Sequence, residues 1–413
     1  MKFGTKKILS AFLALSLVIS MVGCKGIGDS SLTSDGTPDT NSHIEESSNL
    51  DSSSNDNSKD DNSKDDNSKD DSSKDDSSKD DSSKDDSSKE DTKPVVKPSV
   101  TEKGVVSYYG QMQTKGNKIV GSKTNNVVTV AGMSFFWSNW SQKYYTKDNV
   151  EKMKNDFNCE IVRAAYGVQD SGVPHDKTDE ARIRTLVEAA IENDLYVIID
   201  WHSHGAHNNP AEAKAFFSKM AKDYGKYDNV IFEIYNEPLQ IPWATVKSYA
   251  LEIIPAIREH SDNLIVVGTP TWSQDVDMAA TDPINDKNVA YTLHFYAGTH
   301  TDWIRQKAET ALNKGIPLFV TEWGSVNADG NGGISYESTQ QWINWMNQKG
   351  ISWCNWAVND KNETSSIYNS DGSYTEAGRF LKDIITRKSK NAEWKTGKPK
   401  APENYVFNSG EYK

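Results

Sequence analysis

Cysteine is scarce in this chain. There are three in 413 residues. Cys159 and Cys354 have no second Cys or His at ligand spacing, which leaves no basis for a disulfide framework or a zinc knuckle. Both fall near or in predicted strands and are expected as reduced core thiols. Positive charge is outnumbered, with 46 Lys and Arg against 59 Asp and Glu. The formal net charge of -13, with no basic stripe, excludes nucleic acid as a partner. Much of that charge sits before residue 97, where aromatics are almost absent and no core can form. No glycine-rich phosphate turn follows the first predicted strand of the body, which removes the mark of a doubly wound nucleotide fold. One long apolar run exists, 8–22, and it is short for a bilayer span.

That run follows Lys2, Lys6 and Lys7 and reads as an export signal over 1–24. It ends in Met21-Val22-Gly23-Cys24, which resembles a bacterial lipobox. The resemblance implies a lipid on Cys24 and a place on the outer face of the cell envelope; an ordinary cleaved signal is the alternative. Residues 25–97 are Ser, Asp, Asn and Lys rich, with a five-residue unit such as Asp61-Asn62-Ser63-Lys64-Asp65 repeated to Glu90. A unit without apolar side chains cannot offset its ordering entropy, so a disordered spacer is expected.

From 98 to 388 the chain carries its Trp, Tyr, Phe, Ile and Val, about the size of one barrel domain. A hairpin is predicted around 119–120 and 127–130. Strand-like runs then recur at 131–136, 160–165, 195–200, 230–235, 264–268, 289–295, 318–321 and 351–356. Helical stretches separate them, weakest near 274–280. Eight strands alternating with helices predict an α/β fold, a closed (β/α)8 TIM barrel. Residues 389–413 are set apart as an appendage of unknown use. A monomer is the default expectation.

Two of the runs stop on an acid: Ile231-Phe232-Glu233-Ile234-Tyr235-Asn236-Glu237-Pro238 and Pro317-Leu318-Phe319-Val320-Thr321-Glu322-Trp323-Gly324. In a closed barrel every strand's C-terminal end points to one face. Those ends offer Arg163, His202, Asn236, Glu237, His294, Tyr296, Glu322 and Trp356. Each alone is a weak signal; their shared place is what counts. Two carboxyls facing one cleft are what glycosidic cleavage requires.

Asn236-Glu237-Pro238 and Thr321-Glu322-Trp323-Gly324 resemble the acids of glycoside hydrolase family 5. The resemblance runs over 105–388 and takes in Ile161-Val162-Arg163-Ala164-Ala165, Ile198-Ile199-Asp200-Trp201-His202, His294-Phe295-Tyr296 and Asn355-Trp356. It is strongest to bacterial endo-β-1,4-glucanases. It implies Glu237 as general acid/base with a raised pKa and Glu322 as an ionised nucleophile with Arg163 as its donor. Asn236 would bind the sugar 2-hydroxyl. Tyr296 would bind Glu322, and His294 would orient Glu237. His202 and Trp356 would meet the sugar at the cleavage point. Carboxyls about 5–5.5 Å apart and retention of configuration would follow. Trp140 and Trp272 would be stacking platforms, and Gln274, Lys361 and Glu363 would bind neighbouring sugars. Phe136 and Gly167 stand where related glucanases often have His and Tyr, so one sugar contact is missing or replaced. The substrate implied is a β-1,4-glucan, with mannan, xyloglucan, mixed-linkage glucan or a non-catalytic glycan-binding role as alternatives. No cofactor is expected. A competing pattern is His202-Ser203-His204-Gly205-Ala206-His207, three His in six residues. Barrel metallohydrolases need further His and a bridging acid on later strands, so no metal is expected and His204 and His207 are read as polar loop residues.

Overall fold

The computed structural model describes residues 98–101, 103–168 and 177–413. The export segment, Cys24 and the acidic repeat lie outside the described residues. The described chain opens with a short helix, Val105–Tyr109, and an antiparallel hairpin, β1 (Met112–Lys115) and β2 (Lys118–Gly121). The expected hairpin paired 119–120 with 127–130. Instead β2 pairs backwards, through a turn at Gly116, whose φ of 59° suits a two-residue hairpin loop. Val127 keeps only an isolated bridge to Val120.

Eight strands follow: β3 (Ala131–Phe135), β4 (Ile161–Gly167), β5 (Tyr196–His202), β6 (Val230–Glu233), β7 (Ile265–Val267), β8 (Val289–Tyr296), β9 (Leu318–Gly324) and β10 (Trp353–Val358). All pairs are parallel, and β10 closes on β3. The chain is the expected (β/α)8 barrel. The helices form for legible reasons. In Lys147–Phe157, Thr146 caps the N-terminus by accepting from the Asn149 N–H. Val150, Met153 and Phe157 recur at helical spacing on the buried face, and Asn158 ends the helix in the left-handed region.

The period of two sorts each strand. On β5, Val197, Ile199 and Trp201 join the cluster packed under the helices. Tyr196 and Ile198 instead join Ile161, Ile231, Val266, Ala290, Phe319 and Cys354 in a second cluster inside the barrel. Val105, Val106, Tyr109 and Met112 belong to that same cluster, so the N-terminal helix and hairpin seal the lower mouth. Cys159 and Cys354 are both buried and free, as expected. Residues 389–413 pack on the body. Tyr405 and Tyr412 are buried in the main core, and the Trp394 indole donates to Glu160.

β9 departs from strict alternation. Against β8 it advances from Phe319 to Glu322 while its partner advances from Thr292 to His294. Against β10 it advances from Val320 to Trp323 while its partner advances from Trp353 to Asn355. One extra residue is accommodated, a bulge. Its effect is that Thr321 and Glu322, adjacent in sequence, both address the barrel interior.

Strand contact at the barrel's start is close. A Cβ on Gly132 would stand 1.7 Å from the Ile161 carbonyl oxygen on the neighbouring strand. Gly132→Ala is therefore expected to break the β3–β4 pairing and to cost about 4 kcal/mol or more. Urea denaturation of the soluble fraction would read this out. Stability equal to that of the unsubstituted protein would contradict the pairing of Gly132 with Ile161.

Candidate active site

Above the apolar layer the inward positions turn polar. On β5 the series continues from Tyr196 and Ile198 to Asp200 and His202; on β6 it runs from Ile231 to Glu233. Arg163 is the third residue of β4, fully buried, and not at the strand tip where the sequence pattern put it. Its length carries the guanidinium up to the site. There Nε donates to Glu233 Oε2 at 2.7 Å and Nη2 to Glu233 Oε1 at 3.2 Å. Nη2 also reaches Asn236 Oδ1 at 2.6 Å and Asp200 Oδ2 at 2.9 Å. Nη1 donates to Glu322 Oε2 at 3.0 Å and to Ser134 Oγ at 3.3 Å. The expected donor to Glu322 is thus in place, but it serves three carboxylates.

Glu322 Oε1 accepts from the Tyr296 hydroxyl at 2.7 Å, as expected. Glu237 Oε1 lies 2.9 Å from His294 Nδ1, also as expected. Its Oε2 lies 3.3 Å from His204 Nε2. His204 is therefore not a plain loop residue; the loop after β5 folds it back onto the acid. The other His of that run go elsewhere. His202 Nδ1 meets Asp200 Oδ2 at 2.7 Å, and His207 Nδ1 meets the Tyr235 hydroxyl at 2.8 Å. The three do not converge. Among the described residues the one group with metal-ligand proximity is Glu237, His294 and Glu322, with one donor atom from each within 4.8 Å of the others. These are the two acids and the first His of the β8 end that the sequence pattern singled out.

A cavity of 520 Å³ is lined by Glu237, Trp272, Gln274, His294, Tyr296 and Glu322, with His300 and Gln240 beside them. Trp272 is 39% exposed. Trp356 is nearly buried, with its ring stacked on His202 at 5.0 Å between centroids and 4° between planes. Trp140 is 57% exposed but does not line this cavity. Nor do Lys361 and Glu363, which pair with each other at 2.6 Å, with Lys361 over the Phe136 ring. Sequence reasoning missed Asp200, Glu233, Thr321 and His204. A signal existed for two of them: Asp200 and Glu233 each interrupt an apolar strand at an inward position.

The electrostatics correct both expectations for the acids, a raised Glu237 and an ionised Glu322. Burial alone would raise Glu237, but hydrogen bonds from His204 and His294 outweigh it and hold this carboxyl well below the usual range. Glu322 goes the other way, to about 7, through burial and the nearby Glu237 charge, with Arg163 opposing. Asp200 is likewise pushed to about 7 by burial, again against Arg163. Burial also raises Glu233. The acids titrate as a unit, and the facing pair keeps one proton up to about pH 7.

A closed parallel barrel with two carboxyls across one cavity at its C-terminal face defines a class, the barrel hydrolases that work with paired acids. Comparison with known proteins narrows it. The family described as Cellulase (glycosyl hydrolase family 5) matches residues 120–362. Endoglucanase Z of Dickeya dadantii is 54% identical over 283 residues, covering 66% of this chain and 66% of that protein. An endoglucanase of Clostridium saccharobutylicum is 39% identical over 323 residues, covering 75% of this chain and 71% of that one. The crystal structure of a Thermobifida fusca endoglucanase catalytic domain superposes with a TM-score of 0.65 at 29% identity, over 68% of this chain and 99% of that domain. The chain belongs to glycosyl hydrolase family 5. It spans about two thirds of the length of endoglucanase Z.

The raised Glu322 carries a stability consequence. Its folded pKa of about 7 stands above its unfolded value of 4.5, so stability falls as pH rises from 4.5 to 7. Glu322→Gln removes that loss. The variant is expected to be the more stable protein at pH 8, with the gap closing towards pH 5. Melting temperatures across that range would read it out. A gap independent of pH would contradict the raised pKa.

Proposed function

We propose that the protein is a retaining endo-β-1,4-glucanase that cleaves internal bonds of cellulose or a related β-glucan by double displacement. The observation that carries this is the pairing of Glu237 and Glu322 in one cavity, with donor atoms within 4.8 Å. Oxygens this close match the short separation of a retaining pair better than the wider gap of an inverting one. Glu322, oriented by Tyr296 and Arg163, attacks the anomeric carbon. Glu237 protonates the leaving oxygen and then takes a proton from the incoming water. Asn236 has its Oδ1 occupied by Arg163, which turns its NH2 towards acting as a donor to the sugar. Trp272 and Gln274 line the same cavity as both acids and are read as leaving-group contacts. Trp140, Lys361 and Glu363 serve sugars farther out. The names of the relatives support the glucanase reading over mannanase or xyloglucanase. A lipid on Cys24 and the 25–97 spacer would hold the domain outside the membrane.

Activity on soluble carboxymethylcellulose tests the assignment. Glu237→Ala is expected to keep the fold, lose about 10²–10⁴ in turnover and recover part of it with azide. Proton NMR of the first products should show the β-anomer. Full activity in that variant, or α-product, would defeat the proposal. Because the acid pair holds its proton to about pH 7, kcat/KM is expected to fall as pH rises through that value.

A further inference from the structure

We propose that Glu233 and Thr321 are positioning residues that hold His294 with its proton on Nε2, so that Nδ1 shares a single proton with Glu237. Neither residue touches the cavity, and both act through His294. The inference rests on Glu237 being the acid/base.

The geometry is a chain of short contacts in which each donor is settled by the one before. Glu233 receives two N–H groups of Arg163, one on each oxygen, at 2.7 and 3.2 Å. Burial pushes this carboxyl up and the Arg163 hydrogen bonds pull it down; with an N–H on each oxygen, it serves as an acceptor on both. Thr321 Oγ1 lies 2.6 Å from Glu233 Oε1 and must therefore donate its one proton there. The same hydroxyl oxygen lies 2.9 Å from His294 Nε2. With its proton committed, it can only accept, so Nε2 carries a proton. The Glu233 carboxylate, 3.9 Å from Nε2, favours that proton electrostatically.

His294 Nδ1 then faces Glu237 Oε1 at 2.9 Å across a gap that holds one proton. With the proton on Nδ1, an imidazolium meets a carboxylate. With it on Oε1, a neutral imidazole accepts from a carboxylic acid. Either form delivers the same proton. This reconciles a carboxyl held low by its histidines with its duty as an acid. In the first step the shared proton leaves through Glu237 to the glycosidic oxygen as the C–O bond breaks and Glu322 bonds to the anomeric carbon. In the second, Glu237 takes a proton from water, the water oxygen bonds to the anomeric carbon and the Glu322 ester breaks. His294 keeps its Nε2 proton throughout. The opposite tautomer would put a fixed N–H on Glu237 and stabilise only the carboxylate.

The charged and titratable groups around this chain are Arg163 from β4, Asp200 and His202 from β5, His204 from the loop beyond, Glu233 and Glu237 from β6 and its end, Tyr296 from β8 and Glu322 from β9. The bulge in β9 is what lets Thr321 point at His294 while Glu322 points at the cavity.

The test uses Thr321→Val, which keeps the side-chain shape and removes the hydroxyl, and Thr321→Ser, which keeps the hydroxyl. Thr321→Val is expected to lower kcat/KM on cellotetraose, whose leaving group needs a proton, about ten- to a hundredfold. On 2,4-dinitrophenyl β-cellobioside, whose leaving group departs unprotonated, the loss should stay within about threefold. Thr321→Ser should restore most of the cellotetraose rate. Nitrogen-15 NMR of His294 in the unsubstituted protein should show a protonated Nε2, and this reading needs no variant. Equal losses on both substrates, full activity in Thr321→Val, or a bare Nε2 would each overturn the proposal. If the acid assignment itself were wrong, Glu237→Ala would stay active. If only the chain through Thr321 were wrong, Glu237→Ala would still be inactive.

Discussion

One buried guanidinium organises this active site. Arg163 has no access to water and lies within hydrogen-bond distance of Asp200, Glu233 and Glu322. Glu237 stands across the cavity from them. Fully ionised, four carboxyls against one guanidinium would leave a large excess of negative charge in a low-dielectric interior. Such an excess is costly unless protons are retained. That is why Asp200 and Glu322 are each pushed to about 7. The charge imbalance is therefore not incidental to the chemistry. A site that carries a proton near neutrality is suited to acid catalysis.

The barrel can hold this cluster because it is built in two levels. The lower interior is filled by Ile161, Ile198, Ile231, Val266, Ala290 and Phe319, and the Val105–Tyr109 helix seals it from below. This apolar layer anchors the strands, so the upper inward positions are free to be polar. The same strand serves both levels. On β5 a step of two residues changes Ile198 to Asp200, and another gives His202. Arg163 belongs to the upper level by reach, since its Cα sits low on β4 and only its head is at the site.

Much of this was legible in the sequence. Period-two runs separated by helical stretches located all eight strands within a few residues, and the acids ending two of those runs located the site. Those signals are local, and alternation is a strong one. What was not legible depends on register and on chain return. Alternation alone would turn Glu322 outward if Thr321 faces in; the bulge that brings both inside leaves no mark in composition. Asp200 and Glu233 looked like parts of motifs, because their importance lies in a shared partner on another strand. His204 gains its contact with Glu237 only through the fold of a loop. The hairpin differs from expectation because Ile119-Val120 could pair either way, and the turn at Gly116 decided it.

The loop after β7 extends the same logic to substrate. Thr271, Trp272 and Ser273 all have φ between 55° and 58°, the left-handed region that a β-branched or bulky residue avoids. Strain of this kind persists only where the surroundings over-determine it. Here the Thr271 N–H donates to the Leu239 carbonyl at 3.0 Å and the Trp272 N–H to the Pro238 carbonyl at 2.8 Å. The Ser273 hydroxyl donates to the Asn236 carbonyl at 2.7 Å. All three bonds end on the segment that carries Glu237. The exposed Trp272 ring and the acid are thus fixed to one another through the backbone, not through separate loops. On the proposed function, a sugar stacked on that ring would be presented to Glu237 at a set height, so binding energy gained away from the bond would be converted into alignment at it. The strained turn thereby ties the Trp272 side of the cleft to the strand end that bears Glu237.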